Sequence, residues 1–213
     1  MNTIKYQSLL SICTLLSIIF LASCGGVERI VGGDGPEISN QEGLAKVKKL
    51  IEESFGPEKE VFSLSIGTKD HLTSEFGSAS VGYLDNGLQY SHDYNVVFGD
   101  GQELQEPKMA SKSFQKPFFL KKLQGKVKVK DFNYDQLLNK YQEAINMIPQ
   151  EFESFELHEW KYEVNNQNKI TAKFVIEGTK KGEKTSLQGR QMVTNYYQFS
   201  FKMDESGKLS LKE

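Results

Sequence analysis

Of 213 residues, two are cysteine, three histidine and one tryptophan, and 26 basic side chains nearly cancel 28 acidic ones. Each scarcity excludes something. Cys13 and Cys24 alone cannot build a disulfide framework or a cysteine-rich zinc cluster. His71, His92 and His158 form no HxH or HExxH pair, so spacing gives no metal ligand. A net charge of −2 offers no electrostatic case for nucleic acid as a bulk partner. Phosphate cradles are missing too: the GGDG at residues 32–35 has no strand before it and no Lys-Ser/Thr after it, and no GxGxxG opens a helix. The DESG at residues 204–207 lacks the spacing of a calcium loop. No catalytic residue, metal ligand or cofactor is assigned on these grounds, and the chain reads as a non-enzyme.

Long apolar runs are absent as well, with one exception. Residues 1–8 carry a single cation, Lys5; residues 9–21 are uncharged and rich in Leu and Ile; Ala22 and Ser23 close the run. That is the layout of an export signal. A membrane span needs about 20 predominantly apolar residues, and Ser8, Ser11, Thr14, Ser17 and Ser23 dilute this one. Leu21, Ala22, Ser23 and Cys24 then resemble, position by position, the lipobox of bacterial lipoproteins. The resemblance implies cleavage before Cys24, a diacylglyceryl thioether on its sulfur and acylation of its new amine. Two or three acyl chains, at about 0.8 kcal/mol per buried CH2, hold a protein on a bilayer where one does not. Cys13 would leave with residues 1–23, so Cys24 would have no partner for a disulfide. Gly25 is not the aspartate that retains some lipoproteins at the inner membrane. The expected location is therefore the outer membrane or cell surface of a two-membrane cell.

Behind the cysteine, GGVERIVGGDGPE (residues 25–37) has five glycines and one proline and too little apolar surface to hold one conformation. Residues 24–38 are expected to be a tether. Ser39 and Glu42 then stand in capping-box spacing, Leu44, Val47, Leu50, Ile51 and Phe55 keep the helical period, and Gly56-Pro57 stops it. Strand alternations follow at Phe62, Leu64 and Ile66, at Ala79, Val81 and Tyr83, and from Leu88 to Phe98, the last two joined by the turn signal Asp85-Asn86-Gly87.

The second half repeats this plan. Asn133 and Gln136 have cap spacing, Leu137, Leu138, Tyr141, Ala144, Ile145 and Ile148 are helical, and Pro149 ends the run. Phe155 and Leu157 alternate in one phase and Trp160, Tyr162 and Val164 in the other, so a bulge is expected near His158 and Glu159. Two more strands run over Ile170, Ala172, Phe174 and Ile176 and over Tyr197, Phe199, Phe201 and Met203. The fold class expected is α+β, a tandem repeat of one helix followed by an antiparallel sheet of three to four strands. Its units are residues 39–106 and 125–213, joined by residues 107–124. In element order this resembles PepSY-like and beta-lactamase-inhibitor-like modules, an analogy of fold that carries no activity.

Two surfaces stand out as candidates for binding. In KPFFLKKLQGKVKVK, residues 116–130, Lys116, Lys121 and Lys122 surround Phe118 and Phe119. Such a surface suits an acidic protein patch or anionic headgroups. Lys126, Lys128 and Lys130 alternate with Val127 and Val129, the pattern of a guarded edge strand. The second candidate is Tyr90, His92 and Tyr94 on one strand face, either half-buried packing or, with Trp160, the lining of a pocket in a small-ligand-binding or enzymatic curved-sheet domain. The expected partners are the membrane, through lipidated Cys24, and a protein bound by the folded part.

Overall fold

The computed structural model describes residues 35–97, 101–183, 185–188 and 191–212, all within one compact unit, Gly32–Glu213. It is an α+β fold. Helix α1 (Gln41–Phe55) is followed by β1 (Glu60–Val61), β2 (Ser63–Thr68), β3 (Phe76–Asp85), β4 (Leu88–Val97), β5 (Gly101–Leu104) and β6 (Lys108–Met109). Next come α2 (Pro117–Leu120), β7 (Val127–Lys128), α3 (Tyr134–Ile145), β8 (Phe152–Val164) and β9 (Ile170–Lys180). A small hairpin of β10 (Ser186–Gln188) and β11 (Gln191–Val193) precedes β12 (Tyr197–Met203) and β13 (Leu209–Leu211).

The caps show how the helices begin. Asn133 accepts from the Gln136 amide at 3.0 Å, as its spacing predicts. At α1 the cap is Asn40, accepting from Gly43 at 2.8 Å, one residue later than the Ser39 expected. The difference traces to Ile38, which is fully buried and whose amide donates to Ser74 at 2.8 Å. Gly35–Ile38 thus belong to the folded body: Gly35 donates to the Glu75 carboxylate, and the Pro36 carbonyl accepts from Phe76. This strap crosses α1 at Gly43, where a Cβ would lie 2.1 Å from the Glu37 carbonyl oxygen. At the other end, Gly56 leaves the helix at φ +87° and its amide returns to Glu52.

The main sheet runs in the order β13-β12-β9-β8-β2-β3-β4-β5, antiparallel at each pairing, with β6 also on β4. Strands of both halves are neighbours in it, meeting where β2 pairs with β8. Asn86 and Gly87 have φ of +48° and +77°, the two left-handed positions that a two-residue hairpin between β3 and β4 requires. Cross-strand register aligns whole rows on one face: His92, Val81, Leu64, Tyr162, Ala172 and Met203 form one, and Tyr94, Ala79, Ile66, Trp160, Phe174 and Phe201 the next. Apart from half-buried His92 these residues are buried, and both helices share their core. The opposite face carries Ser63, Ser65, Ser80 and Asp93 on one side and Lys161, Glu163 and Lys173 on the other, a polar face that no helix covers among the described residues. Lys173 and Lys161 hold Glu163 at 2.7 and 3.4 Å.

The expected bulge is present. Register shifts in β8 between Leu157 and Glu159, and in β2 between Gly67 and Thr68, so two irregularities lie side by side where Gly67 pairs with Glu159. A bulge leaves one residue unpaired and re-aims its side chain. Here that residue is His158.

Candidate functional site

Glu177 is the only fully buried charged side chain among the described residues. It sits on the polar sheet face, opposite Gln198 of β12, and it is covered by the β2–β3 loop. Three donors converge on it: His71 Nδ1 and the Leu72 amide, each at 2.7 Å, and Gln198 Nε2 at 3.0 Å. The Nδ1 of His158 stands 3.8 Å from the same carboxylate oxygen that His71 reaches. His71 is stacked between His158, 5.0 Å away centroid to centroid, and Tyr196, 4.4 Å away. Leu72 holds a φ of +51°, a conformation a branched side chain rarely adopts. The loop is thus bent into place around the carboxylate. Burial alone would raise the Glu177 pKa; the hydrogen bonds from Gln198, Leu72 and His71 and the charge of His158 outweigh it, so the group lies below the usual carboxylate range.

The protons on the two imidazoles follow from their partners. An ionised carboxylate only accepts, so His71 presents Nδ1–H to Glu177. Thr68 donates its hydroxyl to the Asp70 carbonyl at 3.0 Å and can therefore only accept from His158 Nδ1, 2.9 Å away. Both rings carry the proton on Nδ1. One ring nitrogen from each histidine and one Glu177 oxygen lie within 4.8 Å of one another, a ligand set of the His2Glu kind. Ser74, in the same loop, is engaged away from the cluster: it donates to Glu156 and accepts from the Leu157 amide at 3.2 Å.

Sequence spacing finds none of this, because His71 and Glu177 are 106 positions apart. The one readable sign is the change of phase around His158. Tyr196, just before β12, is the ring that closes the cluster over His71.

The basic stretch divides into two parts. Lys126 pairs with Glu60 at 3.1 Å, and Lys128 and Lys130 both pair with Glu58. Hydrogen bonds from those two lysines hold the Glu58 carboxyl down at about 2. Only Val127 and Lys128 are strand, paired with β1, and Val129 begins a short 3-10 turn. The earlier part is different. Phe118 is 66 % exposed; Phe119 lies 5.5 Å from it between ring centres, and Phe114 lies 5.7 Å from Phe119. Lys122 lies over Phe118 at 4.2 Å. Lys116, Lys121 and Lys122 are exposed, and no ion pair is formed by them among the described residues. Gln115 fixes this segment to the sheet edge through the Gln89 amide and carbonyl and the Ala110 carbonyl.

Tyr90, His92 and Tyr94 do share a face, and it is the helix-covered one. Phe55 of α1 meets the His92 ring edge-on at 5.3 Å, Tyr94 stacks with Phe76, and Tyr90 with Tyr83. Trp160 is fully buried, stacked on Phe174 at 4.3 Å. Phe55 thus packs on the His92 ring, whose buried Nδ1 has no hydrogen-bond partner among the described residues. Burial, then the charge of Lys59, lowers the His92 pKa against the opposing effects of the Gln105 backbone, Asp93 and Glu106.

Leu21, Ala22, Ser23 and Cys24 lie outside the described residues. No helix among the described residues is long and apolar enough to cross a membrane. No family model, curated protein or solved structure matches this chain.

Proposed function

We propose that this protein is a lipid-anchored module of a bacterial cell envelope that binds another protein and performs no catalysis of its own. The observation that carries this reading is the sequence of Leu21, Ala22, Ser23 and Cys24 directly behind a signal-like apolar run, with a glycine-rich spacer after it. On this reading residues 1–23 are removed, Cys24 is acylated, and the body is displayed at the outer membrane or cell surface. The binding surface is the Phe114, Phe118 and Phe119 cluster with Lys116, Lys121 and Lys122. Exposed aromatics with cations beside them are the side chains that anchor protein interfaces.

The architecture also supports an internal duplication. Each half runs helix, then four main-sheet strands: α1 with β2, β3, β4 and β5, and α3 with β8, β9, β12 and β13. The strand order is mirrored about the β2–β8 pair, which puts the last hairpin of each half at opposite sheet edges. On this reading β6, α2 and β7 belong to the connection, and the β10–β11 hairpin is an insertion in the second half.

Two variants test the two parts of the reading. Cys24→Ala is expected to move the protein out of the membrane fraction; retention there after processing is blocked would mean that an uncleaved apolar segment or the basic patch holds it. Phe118→Ser with Phe119→Ser is expected to abolish cross-linking to the envelope partner while leaving Cys24-dependent fractionation intact. Loss of binding to anionic vesicles by the same double variant, with cross-linking unchanged, would assign the surface to lipid instead.

A further inference from the structure

We propose that His71, His158 and Glu177 form a binding site for a first-row divalent transition metal such as Zn2+. Three observations on the folded body converge. The ligand types are those that zinc takes in open three-ligand sites. The donor atoms already lie within 4.8 Å of one another and come from three separate elements, so the fold, not local sequence, assembles them. One ligand, Glu177, is fully buried and ionised, with an amide and a side-chain amide fixing its orientation.

The two distances to the carboxylate need little adjustment, while the two imidazole nitrogens, within 4.8 Å of each other, must close by up to about 1.5 Å. Ligands at about 2.0–2.2 Å from a tetrahedral ion stand about 3.3 Å apart. The 2.7 Å from His71 to Glu177 must open, and the 3.8 Å from His158 to the same oxygen must close, each by roughly half an ångström. The two rings are stacked with 23° between their planes, which sets their in-plane Nδ1 lone pairs nearly parallel, so metal entry requires both rings to turn toward a common point about their side-chain bonds. Metal entry exchanges tautomers: each Nδ1 gives up its proton, the ring is re-protonated on Nε2, and the net proton count is unchanged when both rings start neutral. Thr68, relieved of the His158 proton, stays beside the ion. Half-exposed His71 gives the entry path, and the fourth coordination position is left to water.

An ion here would tie the β2–β3 loop to β8 and β9, holding the left-handed turn at Leu72 more firmly than hydrogen bonds to a carboxylate do. This inference is independent of the anchor and of the aromatic surface. Without metal the same residues form a hydrogen-bonded latch, and the experiment separates the two.

The full chain, purified in detergent and freed of metal with chelator, is titrated with Zn2+ by calorimetry and with Co2+ by visible absorption. Saturation at one equivalent is expected, with intense d–d bands of a four- or five-coordinate ion and a rise in unfolding temperature that follows metal concentration. His71→Asn combined with His158→Asn should weaken binding by about a hundredfold or more, beyond the 10- to 100-fold typical of losing an outer-sphere partner. Both replaced side chains are part-exposed, so the variant can be checked for native circular dichroism before titration. Each single variant is measured as well, to show whether both rings contribute. Because Cys13 and Cys24 are thiols in any unprocessed chain, a cobalt–thiolate charge-transfer band is the mark of binding elsewhere. Absence of saturable binding, or binding equal in wild type and double variant, overturns the site and leaves the latch alone.

Discussion

Glu177 and His92 show how little a residue's type says about its setting. Glu177 lies on the polar face of a strand whose other face, Ile170, Ala172, Phe174 and Ile176, reads plainly from alternation; nothing in that pattern says the carboxylate will be covered. Replacing it with Ala removes the acceptor for His71, Leu72 and Gln198, and a loss of about 2–3 kcal/mol in urea unfolding at neutral pH is expected. His92 is the reverse case: strand alternation places it on the apolar face, where it packs against Phe55. Its pKa is lowered, so between the usual value of 6.5 and the lower folded value the unfolded chain binds more protons than the native one. The cost of burying this ring appears as pH falls through that window and is absent above it. Wild type minus His92→Gln stability, measured from pH 7.5 to 5, should therefore fall with pH; a flat difference would contradict the burial of a neutral ring.

At the scale of elements, the helices were legible because both the period and the stop signals lie in neighbouring residues. Leu44, Val47, Leu50, Ile51 and Phe55 are all buried, as are Leu137, Tyr141 and Ala144. Their caps illustrate the limit of that local reading. Asn133 was legible; Asn40 replaced Ser39 because a distant contact, Ile38 to Ser74, sets where the strap ends. Tyr162 adds a further long-range tie, donating to the Asn133 carbonyl at 2.7 Å. Tyr162→Phe should cost about 1 kcal/mol through the loss of that part-buried hydrogen bond, and Asn133→Ala about 1 kcal/mol through the lost cap. Gly43→Ala tests the strap: a Cβ there meets Glu37 backbone, and a loss of about 1–3 kcal/mol by overpacking is expected, despite alanine's better helix propensity.

For the whole molecule, the sequence indicated α+β and antiparallel pairing, while the joining of strands from both halves into one sheet was not readable, since the β2–β8 contact links residues about a hundred positions apart. The same distance hid the meeting of His71, His158 and Glu177. The proposed lipid anchor rests on local sequence alone, on Leu21, Ala22, Ser23 and Cys24 behind an apolar run, whereas the exposure of Phe118 and Phe119 beside lysines that form no ion pair among the described residues is a feature of the folded body. Phe118→Ser with Phe119→Ser should leave unfolding free energy within about 0.5 kcal/mol of wild type, because exposed side chains carry little of the core; a larger loss would mean that these rings support the fold. The most direct measurement is intact-mass and N-terminal peptide mass spectrometry of the protein extracted from the membranes of a lipoprotein-processing bacterium. The expected result is a chain beginning at Cys24 that carries diacylglycerol on sulfur. A chain that retains residues 1–23, or one that begins elsewhere with Cys24 unmodified, would contradict the lipid-anchored reading.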